Sequence, residues 1–212
     1  MTSHSVRPAL SLAFGWLAFS LAAGTPACAT VTIYGGFTYN SFTKTGYQNS
    51  GYPGEPTAVA DAGFSVAAVG KFTNNVSVGT RVVRLNGTGG SPTEFAVIDT
   101  KANGVAVAQA KAVNESGIAV GFGEKYNADN HTDNRPVRWN AAGTIATQLG
   151  ILGTDPESHT NGQATDINQS GTAIGWVENH LNPVSYGIEH RAVRWDAAGT
   201  AATELALPVG QT

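Results

Sequence analysis

The sequence predicts an all-β fold, a tandem repeat of about 54 residues whose units are propeller-like blades of three or four antiparallel strands. Three observations carry that prediction. Phrases return in fixed order: AVADAG (58–63), AVNESG (112–117) and DINQSG (166–171); then RVVRLN (81–86), RPVRWN (135–140) and RAVRWD (191–196); then PTEF (92–95), ATQL (146–149) and ATEL (202–205). Inside the phrases the apolar residues alternate, so that Val193 and Trp195 share one strand face and Ala192 and Arg194 the other. No segment after residue 29 holds helical periodicity over 11 or more residues.

Taken in order, residues 1–29 read as a secretory signal peptide. Arg7 precedes the apolar run Ala9–Ala23, and the small-residue site Ala27-Cys28-Ala29 follows. The run is shorter than the roughly 20 apolar residues a bilayer span needs. Residues 30–56 form an amino-terminal strand and linker, with VTIYGGFTYNSF (31–42) alternating like a strand. Three units follow at 57–110, 111–164 and 165–212, the last incomplete. In each, an apolar return ends on glycine, and VAAVG (66–70), IAVG (118–121) and TAIG (172–175) align. The Asn-x-Ser-Gly phrase makes a tight turn, since Asn tolerates left-handed backbone and Gly adopts positive φ without steric cost. Longer loops are expected at 71–80, 123–134, 153–162 and 177–190. A single sheet cannot cover its own apolar face, so the units must stack. Residues 30–212 hold about 3.4 periods, where closed propellers use four to eight blades, so the ring is incomplete, or closes through the amino-terminal strand or by association. A β-solenoid is the alternative, although its coils repeat at shorter intervals.

The order LGILG (149–153), ATDINQSGTAIGW (164–176), HRAVRWDAAGTAATEL (190–205) resembles the repeat of the HAF family of extracellular bacterial proteins. Asn168, Gly171, Ile174, Gly175, His190, Ala192 and Trp195 occupy the matching places. Val193 stands where the name-giving phenylalanine would be, and the middle unit has Asn134 and Pro136 in place of His190 and Ala192. The resemblance covers roughly 57–206. It implies export and a repeat fold, and no reaction.

Composition narrows the function classes. Removal of the signal takes away Cys28, the only cysteine, so no disulfide or thiolate chemistry is expected. It also removes Arg7 from the 12 basic residues and none of the 15 acidic ones, moving the formal charge from −3 to −4. Such a mildly acidic chain with scattered basic residues is no nucleic-acid surface. Charged residues make up 13 %, against the usual quarter, so Thr, Asn, Ser and Gln must build the surface.

Arg84, Arg138 and Arg194 recur at one repeat position, with Asn86, Asn140 and Asp196 two residues on; Glu94, Gln148 and Glu204 recur at another. A ring of ligand-facing guanidinium groups would suit acidic sugars or sulfates. A set of between-blade bonds, repeated because the fold repeats, is the preferred reading. Trp139, Trp195, Phe122 and Trp176 either stack on sugar rings or, as preferred, fill the space between sheets.

The loops are where the units differ. Asp129, Asn130 and Asp133, with Asn134, are oxygen donors of the kind Ca²⁺ accepts, although the EF-hand order and its closing glutamate are missing. Ca²⁺ is the one cofactor these residues would suit. Glu178, His180, Glu189 and His190 cluster in 177–190 without zinc-type spacing. Candidate ligand-binding residues are therefore Arg138, Arg194, Trp176, Glu178, His180 and His190, and no catalytic residues are assigned. No serine is framed as a nucleophile elbow. Glu124 with Glu178 would be one carboxylate pair for glycoside cleavage, which spacing alone cannot select.

The expected function is that of an exported, non-catalytic β-repeat protein that binds polysaccharide or a surface protein, with no nucleic-acid partner and no membrane contact after signal cleavage. The alternatives are an exported carbohydrate-active hydrolase or lyase and a fragment of a longer array. Self-association is the further expectation.

Overall fold

The computed structural model describes residues 46–48, 56–86, 92–127, 132–180 and 189–206. The expected signal peptide, the strand at 31–42, Asp129 and Asn130 lie outside the described residues. Among the described residues there are thirteen strands and no helix. They form three antiparallel sheets, consistent with propeller-like blades.

The first sheet contains β1 (Gly46–Gln48), β2 (Pro56–Ala60), β3 (Phe64–Thr73), β4 (Val76–Asn86) and β5 (Thr93–Glu94). β1 pairs with residues 70–72 of β3 and β2 with residues 64–67, so the two lie end to end along one edge of β3 and the sheet is four strands wide. The second sheet is the meander β6 (Ala108–Val113), β7 (Ala119–Tyr126), β8 (Thr132–Trp139), β9 (Ala146–Gln148). The third repeats it as β10 (Gly162–Ile167), β11 (Ala173–Asn179), β12 (Glu189–Trp195), β13 (Ala202–Glu204).

Each later sheet lays its first strand across the face of the sheet before it, β6 on β2, β3 and β4, and β10 on β6, β7 and β8. The alternation of side chains then divides each sheet between two cores. Val66 and Val82 of the first sheet meet Ala108, Ala110, Ala119, Val137 and Trp139 of the second. Val120, on the other face of the second sheet, meets Ala164, Ala173, Val177, Val193 and Trp195 of the third. Ala67, Val69, Val83 and Leu85 form a third cluster on the far face of the first sheet. Each tryptophan also ties its indole N–H to the preceding unit: Trp139 donates to the carbonyl of Ala96 at 2.7 Å, and Trp195 to that of Gly150 at 2.9 Å. These two tryptophans are fully buried between sheets.

The structure corrects two details of the sequence alignment. Residues 71–80 are not a loop. Asn74 and Asn75, both at positive φ, make a two-residue turn that joins β3 directly to β4, the geometry that matches strand twist. The glycine alignment also shifts: Ala67, Gly121 and Gly175 are the equivalent residues, opposite Val83, Val137 and Val193. Gly70 is not their counterpart. The glycines answer to a bulge that recurs every 54 residues, between Pro56 and Ala58, Ala110 and Ala112, and Ala164 and Asp166. It presses the neighbouring strand so close that a Cβ on Gly121 would sit 2.0 Å from the Gln109 carbonyl oxygen, and one on Gly175 2.1 Å from that of Gln163.

Candidate functional site

An up-and-down meander puts its connections at two ends, and the two ends of this array differ. One end holds the repeated turns. Gly63, Gly117 and Gly171 each adopt φ near 85°, and each amide donates back to the residue three before it. The turns bond to one another along the array. The Glu115 carboxylate accepts from the Asp61 and Ala62 amides at 2.7 and 2.8 Å, and Gln169 Oε1 accepts from the Glu115 amide at 3.0 Å. Asn114 Nδ2 donates to the Asn168 carbonyl at 3.1 Å.

The repeated arginines serve the same end. Arg84 donates to the Ala141 carbonyl at 2.7 Å. Arg138 donates to the carbonyls of Ala197, Gly199 and Asp196 at 2.9–3.0 Å, and burial pulls its guanidinium below its ordinary pKa. Each arginine thus clasps the turn of the next unit. Among the described residues no such turn meets Arg194, which pairs with its own neighbour Asp196 at 3.2 Å. The structure therefore does not bring Arg138 and Arg194 together with the other candidate residues.

The opposite end gathers the links 95–107 and 149–161 and the ends of the β7–β8 and β11–β12 hairpins. The backbone turn of the links recurs at the 54-residue step, the Lys101 and Asp155 amides donating to the carbonyls of Val105 and His159, but the side chains differ from unit to unit. Expected loops shrink here too, because β7 runs to Tyr126 and β8 starts at Thr132. A cleft of about 480 Å³ opens between the first link and the β7–β8 hairpin, lined by Asp99, Thr100, Lys101, Asn103, Tyr126 and Asn127. The Asp99 carboxylate shapes the link by accepting from the amides of Thr100 and Tyr126 at 2.7 and 3.0 Å. The Lys101 ammonium lies 4.6 Å from the Tyr126 ring centre, within range of a cation–π contact. The Tyr126 hydroxyl donates to Glu124 at 2.9 Å, and burial followed by that bond pushes the phenol well above its ordinary value.

Behind the cleft stands a buried charge cluster. Asp133, fully buried, accepts from Arg135 at 2.8 Å and from Asn127 Nδ2 at 2.9 Å, with His159 Nδ1 at 3.7 Å. Arg135 also donates to the Ser158 carbonyl at 3.2 Å, tying β8 to the second link. Ser158 sits at positive φ in the turn closed by Asp155, whose carboxylate accepts from the His159 amide at 2.7 Å. Asp133, a candidate Ca²⁺ ligand, is thus engaged by an arginine and an amide. Among the described residues no group of three or more His, Cys, Asp or Glu side chains is arranged to hold a metal ion.

The remaining candidates do meet, at the end of the third sheet. The Glu178 carboxylate, almost wholly buried, accepts from the Asn161 amide at 2.7 Å. His180 Nε2 lies 3.6 Å from one of its oxygens and His190 Nε2 3.9 Å from the other. His190 stacks on Trp176 with ring centres 4.3 Å apart. The Asn161 carboxamide bridges the two sheets, accepting from the Asn134 amide at 3.0 Å. Pairing in β11–β12 explains the meeting, since Glu178 lies opposite His190 and Trp176 opposite Ala192.

Sequence reading missed the cleft around Lys101 and Tyr126. The available signal was negative: residues 96–107 match no phrase of the repeat. Among the described residues no helix is long and apolar enough to cross a membrane. No family model matches the chain, and no curated protein matches it.

Proposed function

We propose that the protein is a non-catalytic binding module, exported through residues 1–29, whose ligand meets the end of the array where the units differ. The observation that carries this reading is the contrast between the ends. At one, carbonyls and amides are answered residue by residue by the next unit. At the other, Lys101, Asn103, Tyr126 and Asn127 line an open cleft, with the Glu178–His180–His190 group on the third sheet of the same end. Loops held by a rigid scaffold are where binding residues are placed. Amide, hydroxyl and ammonium groups around one aromatic ring suit a polyhydroxylated ligand, so a polysaccharide is the proposed class, with a surface protein as the other partner class. The resemblance to HAF repeats supports export from a bacterial cell.

A hydrolase needs one carboxyl group free to give a proton and another free to attack or activate water. Glu124 is engaged by the Tyr126 hydroxyl and Glu178 by Asn161, which favours binding over hydrolysis. Sedimentation with insoluble polysaccharides and affinity electrophoresis through soluble ones test the proposal. Retention by at least one polysaccharide, weakened about tenfold or more by Lys101→Glu with Asn103→Ala, is expected. Retention unchanged by those substitutions, or reducing-end release from the bound chain, would overturn it.

A further inference from the structure

The third sheet presents the face that the first and second sheets use to receive their successors, and in this structure nothing described covers it. Position by position it carries the same chemistry. Ile174 is 45 % exposed where its counterparts Val66 and Val120 are fully buried. Leu205 is 41 % exposed where Phe95 and Leu149 are 2 % and 1 % exposed. Phe95 meets the tryptophan of the next unit, Trp139, with ring centres 6.2 Å apart, and Leu149 shares its cluster with Trp195. Arg194 stands where Arg84 and Arg138 clasp the following turn, and among the described residues it pairs with Asp196. Asn168 and Gln169 close the series of turns that Asp61, Glu115 and Asn114 begin.

We propose that this face is the seat of one further unit of the same repeat. The occupant is specified by the two contacts already present. It brings a strand of the Arg-x-Val-x-Trp type, whose indole N–H reaches the carbonyl after Leu205, as Trp139 reaches Ala96 and Trp195 reaches Gly150. It brings a strand-linking turn whose carbonyls take Arg194, and a turn side chain that binds the amides at 169 and 170, as Glu115 binds those at 61 and 62. A second copy of this chain as folded does not supply such a unit. The corresponding faces of its second and third sheets are occupied, and that of its first sheet, Ala67, Val69, Val83 and Leu85, is buried and carries leucine in place of the tryptophan.

The probe is the protein's own third unit. In a chain where residues 150–206 are repeated once directly after Leu205, the tether supplies the high effective concentration that a docking unit needs. Stability in such arrays is a sum of units and interfaces. A single unfolding transition with Tm raised by about 5 °C or more is therefore expected, together with at least tenfold slower amide exchange at 173–177 and 203–205. Arg194→Ala should lower Tm in the extended chain and leave the 212-residue chain unchanged. An added unit that melts separately, or an Arg194→Ala effect equal in both chains, would overturn the proposal. So would a stable dimer of the 212-residue chain, measured by light scattering, that Ile174→Glu dissociates, because the face would then belong to a second copy.

Discussion

Arg138 and Arg194 are the same residue at the same repeat position, and their truncations should differ because Arg138 binds the turn of a following unit and, among the described residues, Arg194 binds none. Arg138→Ala removes three charge-assisted hydrogen bonds, to the carbonyls of Ala197, Gly199 and Asp196. In a water-free site such bonds are each worth about 1.5–3 kcal/mol. Here the acceptors lie on a surface turn and rehydrate once the guanidinium is gone, so about 0.5–1 kcal/mol per bond is the better figure, and about 2 kcal/mol in all. Arg194→Ala removes one exposed ion pair with Asp196, worth less than about 0.5 kcal/mol. Urea unfolding followed by circular dichroism separates the two. With a slope near ~2 kcal/mol per molar, Arg138→Ala moves the midpoint down by about 1 M, and Arg194→Ala moves it by less than about 0.3 M. Equal shifts would refute the reasoning, since they would mean that the between-unit clasp adds nothing to what an isolated arginine contributes.

Further outcomes follow from the same geometry. Trp139→Ala should cost about 4–5 kcal/mol, from the cavity between the first two sheets and the lost bond to Ala96, and Trp139→Phe about 2 kcal/mol; equilibrium unfolding measures both. Gly121→Ala forces a methyl onto the Gln109 carbonyl and should cost about 2 kcal/mol or more, whereas the unit carrying Ala67 already accommodates that methyl; a change below about 0.5 kcal/mol in Gly121→Ala would count against the bulge argument. The Tyr126 phenol has its folded pKa raised, so its contribution is fully present below the ordinary tyrosine value of 10.0 and is lost as pH rises from there through the folded value. In an ultraviolet titration of the phenolates, one tyrosine should therefore ionise above the others, and Tyr126→Phe should abolish that late step.

The buried Asp133–Arg135 pair ties the second link to β8. Two charges leave water at a cost that only good geometry offsets, and removing one partner strands the other. Asp133 meets Arg135 from two residues away on the same strand, and Arg135 then reaches the Ser158 carbonyl on the second link. The link is thereby fixed against β8, next to Asn127 at the edge of the cleft. Both contacts have counterparts in the other units, since Arg81 donates to the Gly104 carbonyl in the first and Arg191 pairs with Glu189 in the third. What sets the second unit apart is that its carboxylate is fully buried.

The all-β class, the unit of three or four strands and the period were legible because each rests on local rules. Period-two alternation places Val193 and Trp195 in the core, and a glycine at positive φ closes each turn at 63, 117 and 171. The repeated arginines could be narrowed to two roles from sequence, and only the stacking of sheets decided between them, because the carbonyls that bind Arg138 lie 58–61 residues away on another unit. The same holds for the cleft. Lys101 and Tyr126 come from separate units as the repeat divides the chain, and neither belongs to a repeated phrase. The sequence by itself determined what one unit is, since hydrogen bonds between adjacent strands and turns are written in nearby residues. Only the tertiary structure decided which faces are covered and which groups meet, because those contacts join residues whose separation in the chain carries no local signal.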